Sequence, residues 1–233
     1  SADSLSKDVA SGAEVTGSVD IDYGADNEGG QKSLKVNGQK GTATEDGKLS
    51  FDLENGTLVF DPATGSYVFT ADANVTDDQM LNFVVTDADG DTDDVSVTVN
   101  ITKPDAPSFT DTVSVDEEGL ADGTNPNAPS ETTTWTAPDG YTIVEIKEGE
   151  SGKLGTAEVV DGKVEYTLSD AITHGEGAGE NISESADKFT VTIMDGKGNT
   201  YDVTVNVDVK DDVPTISADS LSKDVASGAE VTG

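Results

Sequence analysis

Val95-Ser96-Val97-Thr98-Val99-Asn100-Ile101 alternates apolar and polar residues without a break. In an extended chain successive side chains point to opposite faces. This stretch therefore presents one apolar face and one wettable face, the pattern of a half-buried antiparallel strand. Val203, Val205, Val207 and Val209 alternate in the same way with Thr204, Asn206 and Asp208. So do Phe189, Val191 and Ile193, and Leu81, Phe83 and Val85. Shorter β-like runs lie at 13–21, 33–36, 48–53, 57–60, 66–70, 109–115, 131–136, 141–147, 154–160 and 163–168. Between them stand Asn37-Gly38, Asp46-Gly47, Asn55-Gly56 and Asp161-Gly162, dipeptides that supply the positive φ of tight hairpins. No stretch carries a convincing amphipathic helix, and 172–186 reads as a Gly/Glu-rich loop. Short strands at this spacing specify an all-β sandwich or barrel.

The chain repeats itself. Residues 1–17, SADSLSKDVASGAEVTG, recur unchanged as 217–233, 216 residues later. A weaker repeat lies inside that period. Asp87-x-x-Gly90-Asp91-Thr92-x-Asp94-Val95-x-Val97 corresponds to Asp195-x-x-Gly198-Asn199-Thr200-x-Asp202-Val203-x-Val205, 108 residues on. Each copy leads into a long strand and then a proline-containing linker, with Pro104 and Pro107 in the first and Pro214 in the second. The expected organisation is a first sandwich over 1–105, a second over 106–214, and the first part of a further repeat over 215–233. An identical block points to a duplicated array of which this chain is a slice. Prolines fix φ and bias the preceding residue to extended conformations, so the domains are expected to be joined end to end with little hinge.

Thirteen Lys, no Arg, and 47 Asp and Glu in 233 residues give a net charge of −34. Such a chain repels nucleic-acid phosphates and anionic lipid surfaces, so neither is an expected partner. No apolar run approaches the ~18 residues of a membrane span, and the N-terminus does not read as a signal peptide. The absence of Cys excludes disulfides, thiolate nucleophiles and Cys-ligated metal. Hydrophobic residues make up 33% of the chain, below the usual ~45–50%, and low hydrophobicity with high charge is the composition of disorder. The strand pattern contradicts disorder, so something cationic is expected to offset part of the charge.

The carboxylates crowd the expected domain ends. The hairpin Asp87-Ala88-Asp89-Gly90-Asp91-Thr92-Asp93-Asp94 carries five Asp in eight residues. Asp105, Asp111 and then Asp116-Glu117-Glu118 follow the first long strand, and Asp208, Asp211 and Asp212 lie at the end of the second. Clustered carboxylates repel one another, and a hard cation with several oxygen ligands relieves that repulsion. Ca²⁺ fits this chemistry. The candidate ligands are Asp87, Asp89, Asp91, Asp105, Asp116, Glu117, Glu118, Asp195, Asp211 and Asp212. The competing reading of each is a solvated turn residue. The hairpin is no EF-hand, since Gly90 is fourth and Thr98 twelfth counting from Asp87. With no Cys and one His, a soft-metal site is not expected. The equivalent hairpin Asp195-Gly196-Lys197-Gly198-Asn199 has fewer carboxylates and a Lys, and is the weaker candidate.

The valine-rich last strand, the Asp-x-Asp-Gly-Asp-Thr hairpin before it and the linker Asp105-Ala106-Pro107-Ser108-Phe109 resemble the tandem bacterial immunoglobulin-like repeats of giant RTX adhesins. That linker followed by Asp116-Glu117-Glu118 is also similar to cadherin repeats. The resemblance implies tandem immunoglobulin-like (cadherin-like) antiparallel β-sandwiches stiffened by Ca²⁺ at their junctions. It further implies type I secretion to the bacterial cell surface, a monomer, and neighbouring repeats of the same chain as partners. A cadherin junction has a denser Asp-x-Asn-Asp-Asn run than Asn100-Ile101-Thr102-Lys103-Pro104-Asp105.

Enzyme signals are weak. His174, the only histidine, sits in a Gly-rich stretch with no Gly-x-Ser-x-Gly elbow, and reads as a solvated loop residue. Trp135 reads as the core residue of a central strand. The expected function is a calcium-rigidified extender that projects a distal binding domain, and no enzyme. The alternative is an adhesive module that itself binds a glycan or protein through the 172–186 loop, Trp135 or Tyr141.

Overall fold

A computed structural model describes residues 5–23, 32–108, 111–147, 153–175, 179 and 181–216. Of the expected further repeat over 215–233, residues 217–233 lie outside the described residues, as do Phe109 and part of the 172–186 segment. Among the described residues every regular element is a strand except two 3-10 turns. The chain forms two compact units. One comprises Ser1–Phe109, Ala137–Val144 and Thr192–Asp202; the other comprises Thr110–Thr136, Glu145–Val191 and Val203–Gly233.

The first ten strands are β1 (Leu5–Ala10), β2 (Glu14–Ser18), β3 (Ser33–Val36), β4 (Gln39–Lys40), β5 (Thr42–Ala43), β6 (Leu49–Leu53), β7 (Gly56–Phe60), β8 (Ser66–Ala71), β9 (Gln79–Thr86) and β10 (Thr92–Thr102). They build two five-stranded sheets, ordered β1-β10-β9-β3-β4 and β2-β8-β7-β6-β5. The opening heptad is the inner half of β10: Val97, Val99 and Ile101 are buried while Ser96, Thr98 and Asn100 are not. Their partners in one core include Leu81 and Phe83 from the same sheet and Phe51, Leu58, Phe60, Tyr67 and Phe69 from the other. Phe83 meets Tyr67 at 5.4 Å and Phe60 at 6.0 Å between ring centroids, joining the sheets by tilted aromatic contacts. The result is a sandwich and not a barrel.

The later strands are β11 (Asp111–Asp116), β12 (Thr132–Trp135), β13 (Tyr141–Ile146), β14 (Gly155–Val160), β15 (Lys163–Leu168), β16 (Ile182–Asp195) and β17 (Thr200–Lys210). Their sheets are ordered β11-β17-β16-β13 and β12-β15-β14. Val115, Leu120, Trp135, Val164, Tyr166, Leu168, Phe189, Val191, Val205, Val207 and Val209 are buried. Tyr166 and Phe189 stack at 6.0 Å. The 108-residue repeat has a topological counterpart: β1 runs parallel to β10, and β11 runs parallel to β17.

Some expectations need correction. β1, β4 and β5 were not foreseen. β1 buries only Val9, so its sequence carries little alternation, and its partner is remote. β4 and β5 are two residues each. Asn37-Gly38 and Asp161-Gly162 do make two-residue turns, with φ of 49° and 76°, and 50° and 74°. Asn55-Gly56 does not: Gly56 pairs with Leu53 and is the first residue of β7. The 172–186 loop is shorter than read, because β16 already begins at Ile182. Trp135 is buried but lies on β12, an edge strand, with β15 central.

Candidate metal sites

β9 and β10 turn through Asp87–Asp91. The Asp87 amide donates to the Asp91 carbonyl at 3.0 Å. Asp87 Oδ1 accepts from the amides of Gly90 (3.0 Å) and Asp91 (2.8 Å). This Asx arrangement fixes the loop, and the close turn then brings ligand oxygens of Asp87, Asp89 and Asp91 within 4.8 Å of one another. The crowding shows in the titration. Contact with Asp89 lowers the Asp87 pKa, and the same contact raises that of Asp89. Beside the turn is a surface cleft of about 200 Å³, lined by Asp22, Tyr23, Val85, Asp87, Asp91, Thr92 and Asp93. The donors are all oxygen and open to solvent, which fits Ca²⁺.

The equivalent turn between β16 and β17 keeps the backbone bond, from the Asp195 amide to the Asn199 carbonyl at 2.9 Å. Here the carboxylate is already occupied. Asp195 accepts from the amides of Lys197 (2.8 Å) and Asn199 (2.9 Å), from Asn199 Nδ2 (3.1 Å) and from the Tyr201 hydroxyl (3.3 Å). Burial raises its pKa, but Asn199 and the other donors outweigh that and hold it low. Asp195 belongs to neither carboxylate cluster among the described residues.

A second cluster forms where β11 and β17 end. Their parallel register pairs Asp116 with Lys210, so the next residues, Glu117 and Asp211, come side by side. Asp116 is used structurally: it caps the 3-10 turn Glu117–Gly119 through the Glu118 amide (3.1 Å) and pairs with Lys210 Nζ at 2.8 Å. Glu117 is buried, 5% exposed, and its Oε1 accepts from the Ile172 amide at 2.7 Å. His174 joins Glu117 and Asp211, with one donor atom of each within 4.8 Å of the others. Its side chain is 5% exposed, so the solvated-loop reading of His174 is overturned. Contacts from Glu117, far from it in sequence, and from Ser183, nine residues on, bury a ring whose local surroundings are glycine-rich.

The remaining candidates do not join these groups. Asp212 accepts from the Thr124 amide at 2.8 Å and from its hydroxyl. Asp105 is exposed, and Glu118 is half-buried beside its cluster. Trp135 donates its indole N–H to Asp111. At 4% exposure it offers no open face to a sugar. The imidazole at Glu117 and Asp211 is what sequence reasoning missed; only its identity as the single histidine singled it out.

No protein-family model and no curated protein matches the chain. Solved structures do. The N-terminal Ig1-2 module of the Drosophila receptor protein tyrosine phosphatase DLAR is 12% identical, with 88% of this chain and 94% of that one covered and a TM-score of 0.25. The human desmocollin-1 ectodomain is 13% identical, with 88% and 39% covered and a TM-score of 0.29. Human CDH23 EC21-23 is 14% identical, with 88% and 72% covered and a TM-score of 0.28.

Proposed function

We propose that this chain is a structural extender of a large bacterial surface adhesin, a spacer stiffened by Ca²⁺ that carries a distal binding domain away from the cell. The observation that carries the reading is the repetition: an unchanged 17-residue block 216 residues apart, with a related 108-residue period inside it. Repetition of a sandwich adds length without adding chemistry. Calcium is the companion element. It supplies positive charge to a chain of net charge −34, and the Asp87, Asp89 and Asp91 carboxylates crowd one exposed turn. Extracellular calcium modules bind with Kd of about 10⁻⁴–10⁻³ M, so such a spacer stays unloaded in a low-calcium cytoplasm and fills outside. Absence of Cys suits export as an unfolded chain.

Small-angle X-ray scattering with calcium and then with chelator tests the reading, together with melting curves. Calcium is expected to lengthen and stiffen the particle and raise Tm, since a ligand bound only by the folded state adds RT ln(1 + [L]/Kd) to its stability. Identical scattering profiles and Tm in both conditions would reject it.

A further inference from the structure

We infer that Glu117, His174 and Asp211 form a binding site for a divalent transition metal of zinc type, separate in chemistry from the calcium reading and independent of it. His174 Nε2 is fully buried and, among the described residues, has no hydrogen-bond partner. It lies 3.3 Å from Glu117 Oε1 without hydrogen-bond geometry. Its other nitrogen, Nδ1, is 3.2 Å from the Ser183 hydroxyl on β16. When Nδ1–H donates to Ser183, the Nε2 lone pair is turned to the Glu117 carboxylate, and Asp211 completes the group. Three electron-rich groups then converge where water is largely excluded, an arrangement that costs free energy unless a cation sits among them.

The donor set selects the cation. Ca²⁺ and Mg²⁺ take oxygen ligands, whereas imidazole nitrogen with carboxylate suits zinc and its neighbours. Two ligands of a tetrahedral zinc, each ~2.0–2.1 Å from the metal, stand about 3.3 Å apart. The Nε2–Oε1 separation is 3.3 Å, and the three donors lie within 4.8 Å. Both shells of the site are built. The Ile172 amide orients Glu117, and Ser183 orients the imidazole and can accept from Nδ1–H, the role that hydrogen-bonding neighbours play at metal-bound histidines. Asp211 is anchored through its amide to the Asn181 carbonyl at 2.9 Å. Three protein ligands leave a fourth position for water. The metal would tie the segment around His174 to the ends of β11 and β17.

Because His174 is the only imidazole, its ¹⁵N resonances read the site in the unaltered chain. Metal-stripped protein is titrated with Zn²⁺ while calcium is held in excess, and binding is followed by calorimetry and by the imidazole ¹⁵N signals. The expected result is one equivalent bound, a large shift of Nε2, retention of the proton on Nδ1, and a higher Tm. Ser183→Ala should weaken binding ~10–100-fold. His174→Ala should abolish it. Unchanged imidazole signals in excess zinc overturn the inference, as does full-affinity binding by His174→Ala. If that variant fails to fold, the ¹⁵N measurement decides. Calcium-dependent scattering is recorded without zinc, so either result can fail while the other stands.

Discussion

The Tyr166 hydroxyl donates to Asp187 Oδ2 across 2.6 Å inside the second sandwich, and the same carboxylate accepts from the amides of Lys153 (3.1 Å) and Leu154 (3.0 Å). Asp187 is 8% exposed. One buried carboxylate therefore binds β15 to the entry of β14. Tyr166→Phe leaves it short of one donor, and an unsatisfied buried polar group costs about 1–3 kcal/mol. A urea titration should show a lower midpoint at unchanged slope. An unaltered midpoint would mean that water replaces the phenol.

The same contact sets an acid limb. Burial pushes the Asp187 pKa up, but the Tyr166 hydroxyl and the backbone amides of Leu154, Lys188 and Lys153 outweigh it and hold the value below the ordinary one. A depressed folded pKa stabilises above the unfolded value of about 3.9 and loses that contribution as pH falls through the folded value. Stability of the unaltered chain should therefore fall as pH drops below about 4, and less steeply in Asp187→Asn. Parallel slopes for the two would show that other carboxylates govern the acid transition.

Asp89 titrates with the opposite sign. Its pKa is raised, first by its contact with Asp87, so its charge disfavours the turn when no cation is bound. Asp89→Asn should raise Tm slightly in chelator. The same change should weaken calcium binding on the order of tenfold by removing a charged ligand. Tm measured across a calcium series separates the two effects. An equal calcium response in both proteins would remove the β9–β10 turn from the candidate calcium sites.

Gly56 is required by space. A Cβ there would stand 2.2 Å from the Thr70 carbonyl oxygen and 2.8 Å from Phe69 Cζ, at a backbone φ of 154°. Overpacking of this kind costs about 1–3 kcal/mol. Gly56→Ala should lower the denaturation midpoint, whereas Gly38→Ala, with open space around it but φ of 76°, should act through backbone strain alone. Comparing both by chemical denaturation tests whether the β7–β8 contact is as close as described.

Much of the fold was legible because strand alternation is a local property. Val97, Val99 and Ile101 announce their buried face within seven residues. The Asp87 turn was legible for the same reason. β1 was not, since it is held by a partner more than ninety residues away and shows little of its own pattern. The Glu117–His174–Asp211 group was half legible. The two carboxylates stood out as acidic linker residues, but the imidazole reaches them only after β11, β17 and the segment beyond β15 are assembled. Gly56 misled because a turn-forming dipeptide was shifted one residue into a strand.

The parallel pairing of β1 with β10, over six residue pairs from Leu5↔Val97 to Ala10↔Thr102, has a mechanical consequence. A pull on the chain before β1 and after β10 drags these neighbours in opposite directions along their length. The rungs between them are then loaded together in shear, not peeled one by one. β11 and β17 share this arrangement. If the chain serves as the proposed tether, it would resist traction through these first and last strands, and the segment least evident in the sequence would bear the load.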